Sequence, residues 1–326
     1  MDNQFNDFVG KIVLNSVSGS QLYGTDTPES DRDYRGIFIP TSDYMFGLLK
    51  MPEESEFGSI VDKDSSNKNT KYSVDAKYFE IRKFINLAAK CNPNLIEMVF
   101  VNDASIIECS EEFDVIRVMY DKFLSRESIY KRFGEYAKSQ RYKMVVKLEH
   151  YNLYKEFESE YNSLVTKDSN YKNELISILV ERKLISNLSI EKDCIKFADT
   201  HFTKSHTLYK CYKQVKERLD KISNREELVL KYGYDTKFAS HYIRLLLEGI
   251  ELLNTGKLEF PLEYAYIIKG IKLGQKSLDD VLFFGESLEN NLRAAYEKSK
   301  VREYSDFEFL NNMTIKMLKN YYLKSY

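Results

Sequence analysis

Apolar positions alternate with a period of two near the start of the chain and follow a period near 3.6 over most of the rest. Lys11-Ile12-Val13-Leu14-Asn15-Ser16-Val17-Ser18 reads as a β-strand that stops at a Gly19-Ser20 turn. Gln21-Leu22-Tyr23 then forms a single helical turn. Asp26-Thr27-Pro28-Glu29-Ser30 is a loop, because the residue before a proline is pushed out of helical conformation. A second strand begins near Asp31 and runs through the apolar Ile37-Phe38-Ile39 to Pro40, which places Asp31 and Asp33 on one side of it.

Residues 51–70 are polar and acidic, with a mobile tip expected over Asp62-Lys63-Asp64-Ser65-Ser66-Asn67-Lys68-Asn69. Tyr72-Ser73-Val74-Asp75-Ala76-Lys77-Tyr78-Phe79 alternates and predicts a third strand carrying Asp75, with a helix start as the other reading. The period then lengthens. Ile81, Phe84, Ile85, Leu87 and Ala88 mark a helix face that ends before the turn Asn92-Pro93-Asn94, and a short helix follows over Leu95 to Phe100. After about Glu111 the pattern is almost entirely helical, with apolar spacing over 127–165, 172–189, 206–222, 236–254, 275–300 and 304–322 and no repeat of fixed period. The expected organisation is α+β: a sheet-containing domain over 1–115 followed by a helical domain over 116–326.

At 326 residues the chain exceeds one ordinary hydrophobic core, which agrees with two domains. Its 48 basic and 50 acidic residues nearly cancel, so global charge neither supports nor excludes a nucleic-acid partner. Local charge is more informative. Arg126, Lys131, Arg132, Lys138, Arg141, Lys143 and Lys147 lie among Tyr130, Phe133, Tyr136 and Tyr142, a basic and aromatic stretch suited to a phosphate backbone or, equally, to a solvated helix surface. Cys91, Cys109, Cys194 and Cys211 form no Cys-x-x-Cys pair, so reduced thiols in a cytoplasmic protein are expected. The acidic N-terminus and the absence of any run of eighteen apolar residues predict neither export nor membrane insertion.

The chemistry concentrates in residues 19–36. Glycine at position 19 lets backbone amides approach an anion, and the Ser20 hydroxyl adds a donor. Asp31 and Asp33 side by side repel one another, and a divalent cation is the usual relief for such repulsion. A Walker A loop and a Rossmann glycine fingerprint are both absent. Lys237, His241 and Arg244, spaced by four and three, fall on one helix face. Cys194, Asp199, His201 and His206 have metal-capable side chains at a spacing that fits no familiar zinc pattern. His150 and Glu97 read as structural, Glu97 being favoured by the dipole of a first helical turn.

Gly19-Ser20 followed by Tyr23-Gly24, then Ser30-Asp31-x-Asp33 and Arg35-Gly36, resembles the nucleotidyltransferases of the DNA polymerase β superfamily, in particular the branch linked to RNA repair. The resemblance extends to residues 72–100, with Glu80-Ile81-Arg82-Lys83-Phe84 and Asn92-Pro93-Asn94-Leu95-Ile96-Glu97. It returns at 237–256, with Lys237, Ala239-Ser240-His241, Ile243-Arg244-Leu245-Leu246 and Gly256. Residues 150–225 resemble nothing we can name. The resemblance implies attack of a hydroxyl on the α-phosphorus of a nucleoside triphosphate, with pyrophosphate leaving and two Mg²⁺ ions (or Mn²⁺) as cofactors. It implies Asp31 and Asp33 as shared metal ligands and a third carboxylate, for which Asp75 is the candidate and Asp62 and Asp64 are rivals. Gly19 and Ser20 would hold phosphates. Arg35 would meet a phosphate or pair with Asp33, and Lys237, His241 and Arg244 would face triphosphate or RNA. The acceptor expected first is an RNA 3′ end. A protein or small-molecule hydroxyl, and a non-catalytic nucleotide- or RNA-binding module, are the alternatives.

Overall fold

The computed structural model describes residues 9–63, 69–223 and 226–324. Asp64 to Lys68 of the expected mobile tip, and the acidic N-terminal residues 1–7, lie outside them. The chain divides into two compact units, one of residues 1–140 with 240–326 and one of residues 141–239.

The first unit is built on a five-stranded mixed sheet in the order β3-β4-β2-β1-β5, with β1 Val9–Ser18, β2 Arg32–Pro40, β3 Glu54–Ser55, β4 Val74–Glu80 and β5 Ile106–Cys109. β2 is the central strand. It runs antiparallel to β1 and parallel to β4, and its Ile37, Phe38 and Ile39 are fully buried, as expected of a continuous apolar run in a strand covered on both faces. The strand expected over 72–79 is β4. Its last residue, Glu80, accepts the Lys83 backbone N–H at 3.1 Å and so caps the helix Ile81–Ala88. Asn92 caps the next helix, Pro93–Val99, in the same way, with Pro93 at the first helical position, where its missing N–H costs nothing.

Residues 240–324 return to this sheet. Tyr322, on the helix Phe307–Lys324, donates its hydroxyl to the Pro40 carbonyl at 2.7 Å. The Asn102 side-chain amide donates to the Phe260 carbonyl at 2.6 Å, and the Leu262 N–H donates to Tyr23 O at 3.2 Å. A Cβ on Gly249 would lie 2.9 Å from Leu292 and 3.0 Å from Phe133, so three sequence-distant helices meet there closely. The structure therefore divides the chain differently from the expected boundary at 115/116. Burial by residues 240–324 is nonlocal, and nothing in the local pattern records it.

In the second unit the helical pattern is interrupted. The segment 172–189, expected as one helix, is helical over Ile176–Glu181 and continues into a three-stranded antiparallel sheet of β6 Ser189–Ile190, β7 Cys194–Phe197 and β8 Thr200–Thr203. Ile195, Phe197 and Phe202 from this sheet pack with Tyr154, Phe157, Leu208 and Val215 in a separate core. Asp199, in the β7–β8 turn, accepts Arg218 at 2.8 Å and the Tyr154 hydroxyl, so its carboxylate is a fastening for this core. The helices Arg126–Lys167 and Thr236–Thr255 carry the chain across the division between units. No described helix is long and apolar enough to cross a membrane.

Candidate active site

Two strand registers bring the motif residues together. Across β1 and β2, Ser18 is opposite Asp33, so the turn that follows Ser18 emerges beside the Asp33 carboxylate. Gly19 has φ +61°, and a Cβ there would lie 1.9 Å from Asp33 Oδ2. Glycine is required twice over, by backbone conformation and by contact with the aspartate. The helical turn Gly19–Tyr23 follows and ends at Gly24 with φ 74°, while Thr25 N–H closes back onto Ser20 O at 2.8 Å. Ser18 makes no side-chain cap, so its hydroxyl does not consume the turn's first N–H groups.

Across β2 and β4, Asp33 is in register with Asp75 and Arg35 with Lys77. In-register residues of parallel strands share a face. Phe38, Ala76 and Tyr78 cluster with Tyr34 and Val74 on the opposite one. That packing fixes the phase, since a slip of one residue would move both aspartates into the apolar cluster. Asp31 precedes β2, and its Oδ2 accepts the Asn69 side-chain amide at 3.2 Å.

Arg35 pairs with Asp75, its Nη2 lying 3.3 Å from Oδ2, where phosphate or Asp33 was the expectation. Its Nη1 also donates to the Tyr34 and Asp75 carbonyls at 2.8 and 3.1 Å, so the guanidinium is anchored to the backbone of both strands. Asp62 is tied into its own loop by Thr70 and by the Ser73 hydroxyl on its carbonyl, and its rival Asp64 lies outside the described residues. Asp33 and Asp75 are neighbours by register and Asp31 stands two residues before Asp33, but the oxygens of the three are not all drawn within 4.8 Å of one another. Asn69 and Arg35 hold the outer two. Carboxylate oxygens alone form a hard donor set, and with the glycine pressed against Asp33 they fit a Mg²⁺-class ion.

The expected cationic face of Lys237, His241 and Arg244 is corrected at one position. Lys237 is exposed and His241 half-buried, but Arg244 is only 5% exposed. Its Nη1 reaches both oxygens of Glu248 at 2.9 Å and also Glu97, and its guanidinium lies 4.3 Å over the Tyr23 ring. Tyr23 in turn donates its hydroxyl to Glu97 Oε2 at 2.6 Å. Burial alone would lower the Arg244 pKa, yet Glu248, Tyr23 and Glu97 hold it well above the usual value, so it stays charged. Burial raises Glu248 well above the usual carboxylate range; Arg244 opposes this and Glu97 adds to it. Burial likewise raises the Tyr23 phenol. Arg244 is thus a buried fastening between the Gly19–Tyr23 turn and two helices. Glu97, read as serving only a helix dipole, is one of its partners, and Glu248 stands at i+4 from Arg244 in the sequence, a signal that went unused.

The basic stretch at the start of the helix Arg126–Lys167 is mixed. Arg126 lies against the Tyr296 ring and Tyr130 stacks on that ring at 4.6 Å, while Phe133 is fully buried. Lys131, Arg132 and Lys138 are exposed with Tyr136, and in the second unit Tyr142 and Lys143 are exposed as well. The Lys147 side chain lies outside those described.

Residues 2–158 match the family described as "RNA repair pathway DNA polymerase beta family". The chain is also 26% identical over 344 aligned residues to the uncharacterized 38.9 kDa protein in the nrdC-mobD intergenic region of Enterobacteria phage T4, covering 96% of this chain and 99% of that one. No solved structure matches the chain. The matched segment contains both registers that set Gly19, Asp33 and Asp75 together, and the match supports a polymerase-beta-like family for residues 2–158, which suggests nucleotidyl transfer as its chemistry.

Proposed function

We propose that the protein is a nucleotidyltransferase that moves a nucleoside monophosphate from a nucleoside triphosphate to an acceptor hydroxyl, releasing pyrophosphate, with an RNA 3′ end as the acceptor. The observation that carries this reading is the convergence on Asp33 of the Gly19 turn from one side and Asp75 from the other. Asp31, Asp33 and Asp75 would hold Mg²⁺, which when bound supplies charge stabilisation to the attacking and leaving oxygens. The backbone amides at Gly19 and Ser20, with the Ser20 hydroxyl, orient the departing phosphates. Arg35, paired with Asp75, would position that carboxylate beside Asp33. His241 stands on the helix whose Arg244 fastens the phosphate turn through Tyr23.

RNA as the acceptor is favoured over a protein or small-molecule hydroxyl by the exposed Lys131, Arg132, Tyr136 and Lys138, a face on which bases can stack and phosphates can be neutralised. The test is incubation with α-labelled triphosphates, Mg²⁺ and either total RNA or a protein extract. Label in RNA that depends on Asp31 and Asp33 supports the proposal. Label in protein alone would move the acceptor to the other class, and label in neither pool would contradict the transferase reading.

A further inference from the structure

The second unit holds a cluster that the transferase reading does not use. Glu191, Cys194 and His201 each offer one ligand atom, and these atoms all lie within 4.8 Å of one another. The sequence spacing gave no zinc pattern because the ligands are gathered by strand pairing. β6 and β7 form a tight hairpin in which the Glu191 N–H donates to the Cys194 carbonyl at 2.8 Å, and this sets the carboxylate beside the thiol. β7 and β8 pair Cys194 with Thr203 and Lys196 with His201, so Cys194 and His201 share one face as diagonal neighbours.

The opposite face of the same strands is Ile195, Phe197 and Phe202, buried in the unit's core. That burial fixes the register, so the donor positions are held by the scaffold and not by chance side-chain contact. The Lys204 ammonium, donating to the Lys192 carbonyl at 2.9 Å, braces the hairpin turn from β8. The Cys194 Sγ lies 3.6 Å from Glu191 Oε2, and partial burial with that carboxylate nearby raises the thiol pKa.

We propose that Glu191, Cys194 and His201 bind a borderline-soft divalent ion, Zn²⁺ above all, with solvent as the fourth ligand. A thiolate, an imidazole and a carboxylate are the zinc donor types, and the thiolate and imidazole disfavour Mg²⁺ and Ca²⁺. Binding replaces the S–H bond of Cys194 by a metal–sulfur bond and releases that proton to solvent. The ion, the thiolate and the carboxylate sum to zero charge, so the flanking Lys196 and Lys204 are not opposed by a net positive centre. The ion would tie the β6–β7 turn to β8. This inference is independent of the transferase reading.

The test uses the full chain without an affinity tag, stripped of metal and titrated with Co²⁺ in excess Mg²⁺. The expected result is one equivalent of Co²⁺ with a thiolate-to-cobalt charge-transfer band, bleached by Zn²⁺. Cys194→Ser should abolish the band, His201→Ala should weaken binding by about tenfold or more, and Glu191→Gln should weaken it as well. Zn²⁺ should raise the melting temperature of the wild type and leave that of Cys194→Ser unchanged. All three side chains are exposed or half-exposed, and far-UV circular dichroism of each variant checks that it is folded. Absence of the band, its persistence in Cys194→Ser through the exposed Cys109, or unchanged affinity in a folded His201→Ala would each overturn the proposal.

Discussion

Gly19 lies so close to Asp33 that a single added carbon would stand 1.9 Å from the Asp33 carboxylate oxygen. The Gly19 turn and the Asp33 carboxylate are therefore one mechanical unit, and a change in either displaces the other. Gly19→Ala should lower transfer by about 100-fold, the scale expected when a reacting group is moved by about 1 Å. Its stability should fall by about 2–4 kcal/mol, the cost of a left-handed non-glycine residue together with the overpacking against Asp33. Steady-state transfer and urea denaturation of the same preparation separate the two effects.

Arg244 is surrounded by Glu97, Glu248 and the Tyr23 ring. Removing the cation leaves buried carboxylates uncompensated, so Arg244→Ala should lose about 3–5 kcal/mol in denaturant unfolding. A loss below about 1 kcal/mol would show that the network is solvated.

Glu248 gives a pH signature. Its folded pKa is raised above the ordinary value of 4.5, so the folded state holds the proton more tightly than the unfolded chain. The associated stability is fully present below about pH 4.5 and is lost as pH rises through the folded value. Glu248→Gln keeps a neutral, isosteric group and has no proton to lose. Melting temperatures of the two proteins measured from pH 4.5 to 9 should therefore move in favour of Glu248→Gln as pH rises. A constant difference across that range would contradict the assignment.

Arg35 and Asp75 form a partly exposed pair, with side-chain exposures of 21% and 52%. Such pairs contribute about 0–1 kcal/mol, so Arg35→Ala should be nearly as stable as the wild type. Its Mg²⁺ requirement should change, because Asp75 loses the group that positions it. The check is the Mg²⁺ concentration giving half-maximal transfer.

The exposed Lys131, Arg132 and Lys138 should each contribute to the salt dependence of RNA binding. Replacing all three with glutamine should reduce the slope of log affinity against log salt by about 2, at about 0.7 per neutralised phosphate on a single strand. An unchanged slope would remove this helix from the acceptor path.

What could be read from the sequence was local. The strand over 11–18, the Gly19-Ser20 turn, the β2 run Ile37-Phe38-Ile39 and the alternation around Asp75 are carried by residues within a few positions of one another, and all form as expected. Partners distant in sequence were not legible. The spacing of Lys237, His241 and Arg244 specifies a helix face but not what covers it, and Arg244 meets Glu97 across 147 positions. The sheet over 189–203 escaped notice because strands of two and four residues are too short to establish a period. The Arg35–Asp75 pair depends on the parallel pairing of β2 with β4, which no alternation pattern encodes.

In the proposed site Asp33, held between Gly19 and Asp75, is the pivot of nucleotidyl transfer. Single-turnover transfer from an α-labelled triphosphate to RNA in Mg²⁺, comparing the wild type with Asp33→Asn and Asp75→Asn, measures that role. The wild type should transfer, and each variant should lose about 100-fold or more while remaining folded, since neither aspartate is buried. Equal transfer by the wild type and Asp33→Asn would rule out Asp33 as the pivot.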